Sequence, residues 1–294
     1  MARGIPQTAE SGTAVAATGY RPGGALPLRV EALRQFRRRR TLATFATVTA
    51  LPLVLLTAFA LGGSPTDGDG GAPALVAIAT ASGPNFAAFV LFVSSSFLLP
   101  VTVALFCGDT VASEAGWASL RYLLAAPVPR ARLLWSKLVV ALGYSAVAVL
   151  LLPAVALVAG SAAYGWGDVQ LPGGGTMPAS QVLWRMVLVV AYVYGSLLVV
   201  GAAGFCLSTV TDAPLGAVGG AVGLWIVSTI LDAVTALGRA REFLPTHWQY
   251  AWLDTLQPRI AWAAMAQGLA LSTACAVLLV ALAFRRFQTK DVVS

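Results

Sequence analysis

Six long apolar runs, at about residues 41–61, 84–107, 136–160, 182–210, 214–237 and 260–284, set the terms on which this chain folds. Each reaches the ~18–20 residues that a helix needs to cross the hydrocarbon core of a bilayer. In hydrocarbon every backbone N–H and C=O must be paired within the protein, and a helix does this within its own segment. Composition agrees: 58% of residues are hydrophobic and only 11% are charged. A soluble domain carries about 25% charged residues. A soluble enzyme, a disordered chain and a disulfide scaffold are excluded. The expected fold is all-α, a polytopic membrane protein with six transmembrane helices.

The flanks of these runs carry the orientation. Residues 1–27 are rich in Gly, Ala, Thr and Pro with no apolar period, and read as a disordered tail without a cleaved signal peptide. In the next stretch, LRVEALRQFRRRRT, Val30, Leu33 and Phe36 recur at helical spacing between Arg29, Arg34 and Arg37. That pattern predicts a basic amphipathic helix over 28–40, lying along a membrane surface. Six spans put both termini on one side. That side collects fifteen of the nineteen Lys and Arg residues, eight of them before the first span. The other side holds Arg185, Arg239, Arg241 and Arg259. The bias makes both termini cytoplasmic, the short tail 285–294 included. Seventeen Arg against two Lys suggests a high-GC bacterial source, and hence the bacterial cell membrane.

Signatures of covalent chemistry are missing. No G-x-x-x-x-G-K-[ST], H-E-x-x-H or G-x-S-x-G occurs. His247 is the only histidine, and Cys107, Cys206 and Cys275 lie far apart and read as small buried hydrophobes. No catalytic, metal or cofactor residues are expected, and the basic balance points to anionic lipid and not to nucleic acid. Among the external loops, 62–83 and 161–181 are short and Gly/Pro-rich. The loop 238–259 crowds Trp248, Tyr250 and Trp252 around His247. It reads as part of an aromatic belt, with a re-entrant or interfacial helix at the mouth of a pathway as the sharper alternative.

The segment between spans two and three, 108–137, is cytoplasmic by the charge count and yet is no simple polar loop. Glu114, Trp117, Arg121 and Leu124 fall at i, i+3, i+7 and i+10, on one helical face. Pro127 and Pro129 stop the helix, and Arg130, Arg132 and Lys137 gather where the third span enters the bilayer. A short helix with acid, aromatic and base on one face suits a partner's groove; lying on lipid headgroups is the plainer alternative.

The order Gly108-Asp109, Glu114-Ala-Gly116, Leu120-x-x-Leu123-Leu124, Pro127-Val-Pro129-Arg130, Leu133-Leu134-x-x-Lys137 resembles the permease subunits of type-2 ABC exporters. The entry at 28–40 is similar to that family's elbow helix. The ending Phe284-Arg285-Arg286-Phe287 and the outer segment LPTHWQYAW are similar to its tail and last external segment. The resemblance implies that the 110–126 helix docks on a separate ATPase subunit. Two ATPase copies would serve a pair of permeases, a second copy of this chain or a related one. Glu114, Trp117, Arg121, Leu124 and Arg130 are the docking candidates. Trp117-Ala118 stands where a Gly-Thr pair is common in that family.

Within the spans, Gly216, Gly219, Gly220 and Gly223 form two overlapping small-xxx-small repeats and read as close helix packing. Ser94, Ser95 and Ser96 stand beside Pro100 and read as serines bonded back to their own helix. No span carries a central carboxylate or arginine, which points to an apolar or amphipathic cargo and away from proton-coupled pumping. The expected function is the membrane-spanning subunit of an ATP-driven exporter. The alternatives are an assembly or signalling protein that recruits another cytoplasmic partner, and a secondary transporter.

Overall fold

A computed structural model describes residues 28–62, 72–116, 130–171, 174–257 and 260–289. Among these run nine α-helices: α1 (Leu28–Phe36), α2 (Arg39–Gly62), α3 (Ala72–Ala79), α4 (Gly83–Ser96), α5 (Leu98–Gly116), α6 (Arg130–Tyr164), α7 (Val182–Val210), α8 (Pro214–Ala233) and α9 (Trp262–Thr289). Five of them, α2 and α6 to α9, are long and apolar enough to cross a membrane singly. The pair α4 and α5 is long and apolar enough only when taken together, bent by 56° at the break, and counts as a sixth span if the two helices cross as one. A two-residue hairpin, β1 (Val169–Gln170) with β2 (Thr176–Met177), is the one departure from helix and turn among the described residues.

The bundle is built around α7, which packs against α5, α8 and α9, while α4 packs on α6. Phe86, Leu91, Leu99, Leu152, Tyr192, Leu197 and Phe205 are fully buried at its centre. Close approach of α5 to α7 depends on glycine. A Cβ on Gly204 would lie 3.3 Å from both the Ala104 carbonyl oxygen and the Gly108 amide. In hydrocarbon such backbone proximity replaces the hydrophobic drive that water supplies to soluble bundles. By contrast α2 buries only Thr41, Val48 and Pro52, so most of its surface faces outward.

The run 84–107, read as one straight span, is two helices. Pro100 has no N–H for the Ser96 carbonyl four residues back, and its ring crowds that oxygen. Ser95 and Ser96 hydroxyls donate to the Phe92 and Val93 carbonyls, both at 2.9 Å, which bends a helix further. Trp225 of α8 completes the break: its Nε1 donates to the orphaned Ser96 oxygen at 3.1 Å. Trp225 is buried, so Trp225→Ala will cost about 3–5 kcal/mol. Trp225→Phe loses chiefly the hydrogen bond, about 1 kcal/mol. Melting temperatures of the two purified variants, the alanine far below the phenylalanine, check this assignment.

Other boundaries move as well. The entry helix stops at Phe36, not at residue 40, because Arg39 and Arg40 already begin α2. Helix α5 runs past residue 107 to Gly116, α8 stops at Ala233, and α9 continues into the expected tail as far as Thr289. The stretch 62–83, expected as a loop, contains α3.

The segment read as an aromatic belt is a cap of 3₁₀ turns, Thr235–Phe243, Pro245–Trp248 and Ala251–Leu256. Trp252 is fully buried inside the protein, where a belt residue would face lipid headgroups. Polar bonds pin the cap. Tyr192 Oη donates to the Trp248 carbonyl at 2.6 Å, Ser228 and Thr246 hydroxyls pair at 2.7 Å, and His247 Nδ1 meets Asp232 Oδ1 at 2.6 Å.

Candidate coupling site

At the opposite end of the bundle, where α1 and the last turns of α9 lie, the basic sequence turns into a set of ion pairs. Helix α1 is amphipathic in an unusual sense. Leu28, Val30, Leu33 and Phe36 are exposed, whereas Glu31 and Gln35 are buried. Glu31 and Gln35 turn to the protein, while the apolar residues face outward together with Arg29 and Arg34, as a basic helix at a lipid interface requires.

Glu31 is buried because Lys137 waits for it. Lys137 Nζ lies 3.1 Å from Glu31 Oε1, with the lysine side chain 2% exposed and the glutamate 10%. Lys137 belongs to the second turn of α6. Two helical turns further, Tyr144 Oη donates to the Ala32 carbonyl at 2.8 Å. The elbow helix is thus fixed to the first turns of span three by a buried ion pair and a hydrogen bond.

A second tether reaches the other flank. Asp109, on α5, receives Arg38 Nη1 at 2.8 Å on Oδ2 and Arg40 Nη1 at 2.8 Å on Oδ1. Arg38 Nη1 also donates to Ser113 Oγ at 3.1 Å, and Ser113 Oγ donates to the Asp109 carbonyl at 2.6 Å. One carboxylate therefore gathers two guanidiniums from the α1–α2 junction, and the Ser113 hydroxyl links Arg38 to the Asp109 backbone carbonyl. Charge-assisted bonds of this kind are about twice as strong as neutral ones. Just inside this layer Phe45, Phe106 and Tyr144 form a three-ring contact joining α2, α5 and α6, with centroids 5.6–6.1 Å apart.

The two tethers bracket the segment between spans two and three. Glu114 sits in the last turn of α5, and Arg130 is the first residue of α6. Trp117, Arg121 and Leu124 lie outside the described residues. Asp109 and Lys137 stand on the two flanks, and both are held by the same short stretch, 31–40. Glu31, Arg38 and the hub role of Asp109 escaped the sequence reading. The signal present was Glu31 and Gln35, one turn apart and interrupting an otherwise apolar or basic helix.

The four glycines of α8 divide. A Cβ on Gly220 would come within 2.8 Å of Leu207 Cδ1, so this residue packs tightly on α7. Gly219 and Gly223 have nothing within 4 Å of such an atom, and Gly216 neighbours only its own turn, at Thr211 and Ala213. The buried seam of α8 is Ala217, Val218, Ala221 and Trp225.

No curated protein matches this chain. The family model described as ABC-2 family transporter protein matches residues 28–222. The match begins at the first residue of the elbow helix, spans both tethers and α7, and ends within α8. With an all-helical, multi-span membrane architecture and a match over more than half of its length, the chain belongs to the ABC-2 family of transporter proteins and is a membrane-spanning subunit of an ABC transporter.

Proposed function

We propose that this chain is the permease of an ATP-driven exporter in a bacterial cell membrane, with the segment 110–126 seated on a separate ATPase subunit. One observation carries the reading: both flanks of that segment are tied to the elbow helix, through Glu31–Lys137 and through Arg38 and Arg40 on Asp109. When the ATPase closes on ATP and displaces the segment, α5, α6, the elbow and the start of α2 move as one body. Transporter transitions of this type are rigid-body rearrangements of packed elements between two states.

The basic end is cytoplasmic in this scheme, as the fifteen-to-four distribution of cations requires. Residues 1–27 then form a cytoplasmic tail, and the covalent chemistry of ATP belongs to the partner. Two ATPase copies serve two permeases. The open face of α8 at Gly219 and Gly223 receives the second permease, because small residues let backbones approach closely. In membranes, Gly223→Cys placed in a chain with Cys107, Cys206 and Cys275 changed to Ser will give a disulfide-linked dimer on oxidation. A band that stays monomeric contradicts that face. Cargo of apolar or amphipathic character suits spans without a central carboxylate.

The test of docking co-expresses the full chain with an ABC ATPase subunit from the same genome. Trp117 acts as the buried anchor, with Glu114, Arg121 and Arg130 as charge partners and Leu124 as apolar contact. Truncating such an anchor costs about 2 kcal/mol or more, over about tenfold in affinity. Glu114→Arg with Trp117→Ala will therefore lose both co-purification and stimulated ATP hydrolysis. Unchanged values for both overturn the proposal.

A further inference from the structure

On the flank of the bundle, toward the basic end, an open groove runs between α6 and α9 with α7 as its floor. Its volume is about 430 Å³, within the ~300–1,000 Å³ of pockets that hold a single small ligand. Leu138 and Leu142 of α6, Leu198 and Ala202 of α7, and Val277 and Val280 of α9 line it, and Thr273 supplies the one hydroxyl.

Trp135 and Phe284 mark its mouth, with ring centroids 6.4 Å apart. Thr273 stands at the far end. From Phe284 back to Thr273, α9 runs eleven residues, about 16 Å at 1.5 Å per residue. That is about half of the ~30 Å hydrocarbon core, the depth of one leaflet. Trp135 is 58% exposed at the mouth, and such a ring suits the level where headgroups meet hydrocarbon.

The mouth is basic. Arg132 stands one turn before Trp135, Arg285 and Arg286 follow Phe284 directly, and all three are exposed. Arg286 lies within electrostatic reach of Cys206, one turn beyond Ala202 on α7. Among the described residues at these ends of α6, α7 and α9, Asp212 is the one carboxylate. An apolar trough one leaflet deep, topped by guanidiniums, matches a phospholipid with its chain inward and a negative headgroup at the rim. A second copy of the chain does not fit there. A two-fold interface is self-complementary, and an axis along the membrane normal would set the two basic mouths against each other.

We propose that the groove between α6 and α9 binds one anionic phospholipid of the leaflet at the basic end. One acyl chain lies along Leu142, Ala202 and Val277, and the phosphate meets Arg132, Arg285 and Arg286. That leaflet is the cytoplasmic one in the orientation proposed above, but the site itself does not depend on docking of an ATPase. The bound chain packs against three helices at once, so occupancy joins α6 to α9 over the basic half of the bundle.

The test is native mass spectrometry of the delipidated full chain, titrated with phosphatidylglycerol or with phosphatidylcholine of the same acyl chains. Phosphatidylglycerol will fill one saturable site, and phosphatidylcholine will bind about tenfold or more weakly. Each of Arg132→Gln, Arg285→Gln and Arg286→Gln will weaken phosphatidylglycerol about fivefold. Lysine at the same three positions will keep the binding, which separates charge from folding. Ala281→Trp leaves the basic mouth intact and fills the groove from an exposed wall position, so it will abolish the site while the protein stays folded. Phosphatidylglycerol with a diazirine in one acyl chain will label peptides 131–142 and 273–284. Equal binding of the two lipids, label spread evenly over the outward faces of α2 and α8, or a dimer sealed through α9 with no lipid adduct each overturn the proposal.

Discussion

Replacing Lys137 with methionine will destabilise the protein by about 3–5 kcal/mol, and adding Glu31→Leu will recover most of that loss. The Lys137 side chain is 2% exposed and that of Glu31 10%, so the single change strands a carboxylate with little water around it. Arg34 does not make up for the loss. Its Nη1 is 3.9 Å from Glu31 Oε2 and the side chain is substantially exposed, where screening leaves about 0–1 kcal/mol. The double variant removes both charges and both desolvation costs, which is why it recovers. A loss of this size is a large fraction of the ~5–15 kcal/mol that separates folded from unfolded proteins. Thermal unfolding of the three purified chains reads the result. If K137M and the double variant melt together, the buried pair does not hold the elbow.

Asp109→Ala will do the reverse: little to stability, much to function. Its partners are Arg38, 26% exposed, and Arg40, 71% exposed, and water resolvates both guanidiniums once the carboxylate is gone. The expected stability cost is about 1 kcal/mol, as for a partly exposed pair. Yet this carboxylate is the only acidic side chain that ties α5 to the α1–α2 junction among the described residues. Without it a displaced coupling segment moves α5 without the elbow. Transport by the reconstituted complex will fall by about tenfold or more, a coupling loss of ~1.4 kcal/mol, while binding of the ATPase is retained. Asp109→Glu, with the charge kept, will restore part of the activity. Full transport by D109A contradicts a mechanical role for this tether.

These tethers show what hydropathy and spacing do and do not encode. The six spans were legible because a helix in hydrocarbon needs ~20 apolar residues regardless of its neighbours. The amphipathic entry was legible for the same local reason: Val30, Leu33 and Phe36 share a face. Glu31 and Lys137 are 106 residues apart, and no local pattern announces a pairing at that separation. The break in span two was half visible. Pro100 and the serine run stood in the sequence, but the donor that fills the Ser96 carbonyl, Trp225, comes from another helix. Trp252 was misread for a related reason. Protein interior and lipid interface are both apolar, and composition does not distinguish a tryptophan facing inward from one facing headgroups. The glycines of α8 divide on the same principle, since the repeat is identical for Gly220, against Leu207, and for Gly223, against open space.

The most direct measurement of the coupling account is a photo-crosslink from position 117. A photoreactive phenylalanine analogue replaces Trp117 in the full chain, which is co-expressed with an ABC ATPase subunit from the same genome and irradiated in native membranes. The account predicts a covalent adduct between the two proteins that forms with wild-type tethers and changes yield when ATP is trapped in the complex. An adduct with lipid alone, while the ATPase still co-purifies, contradicts it.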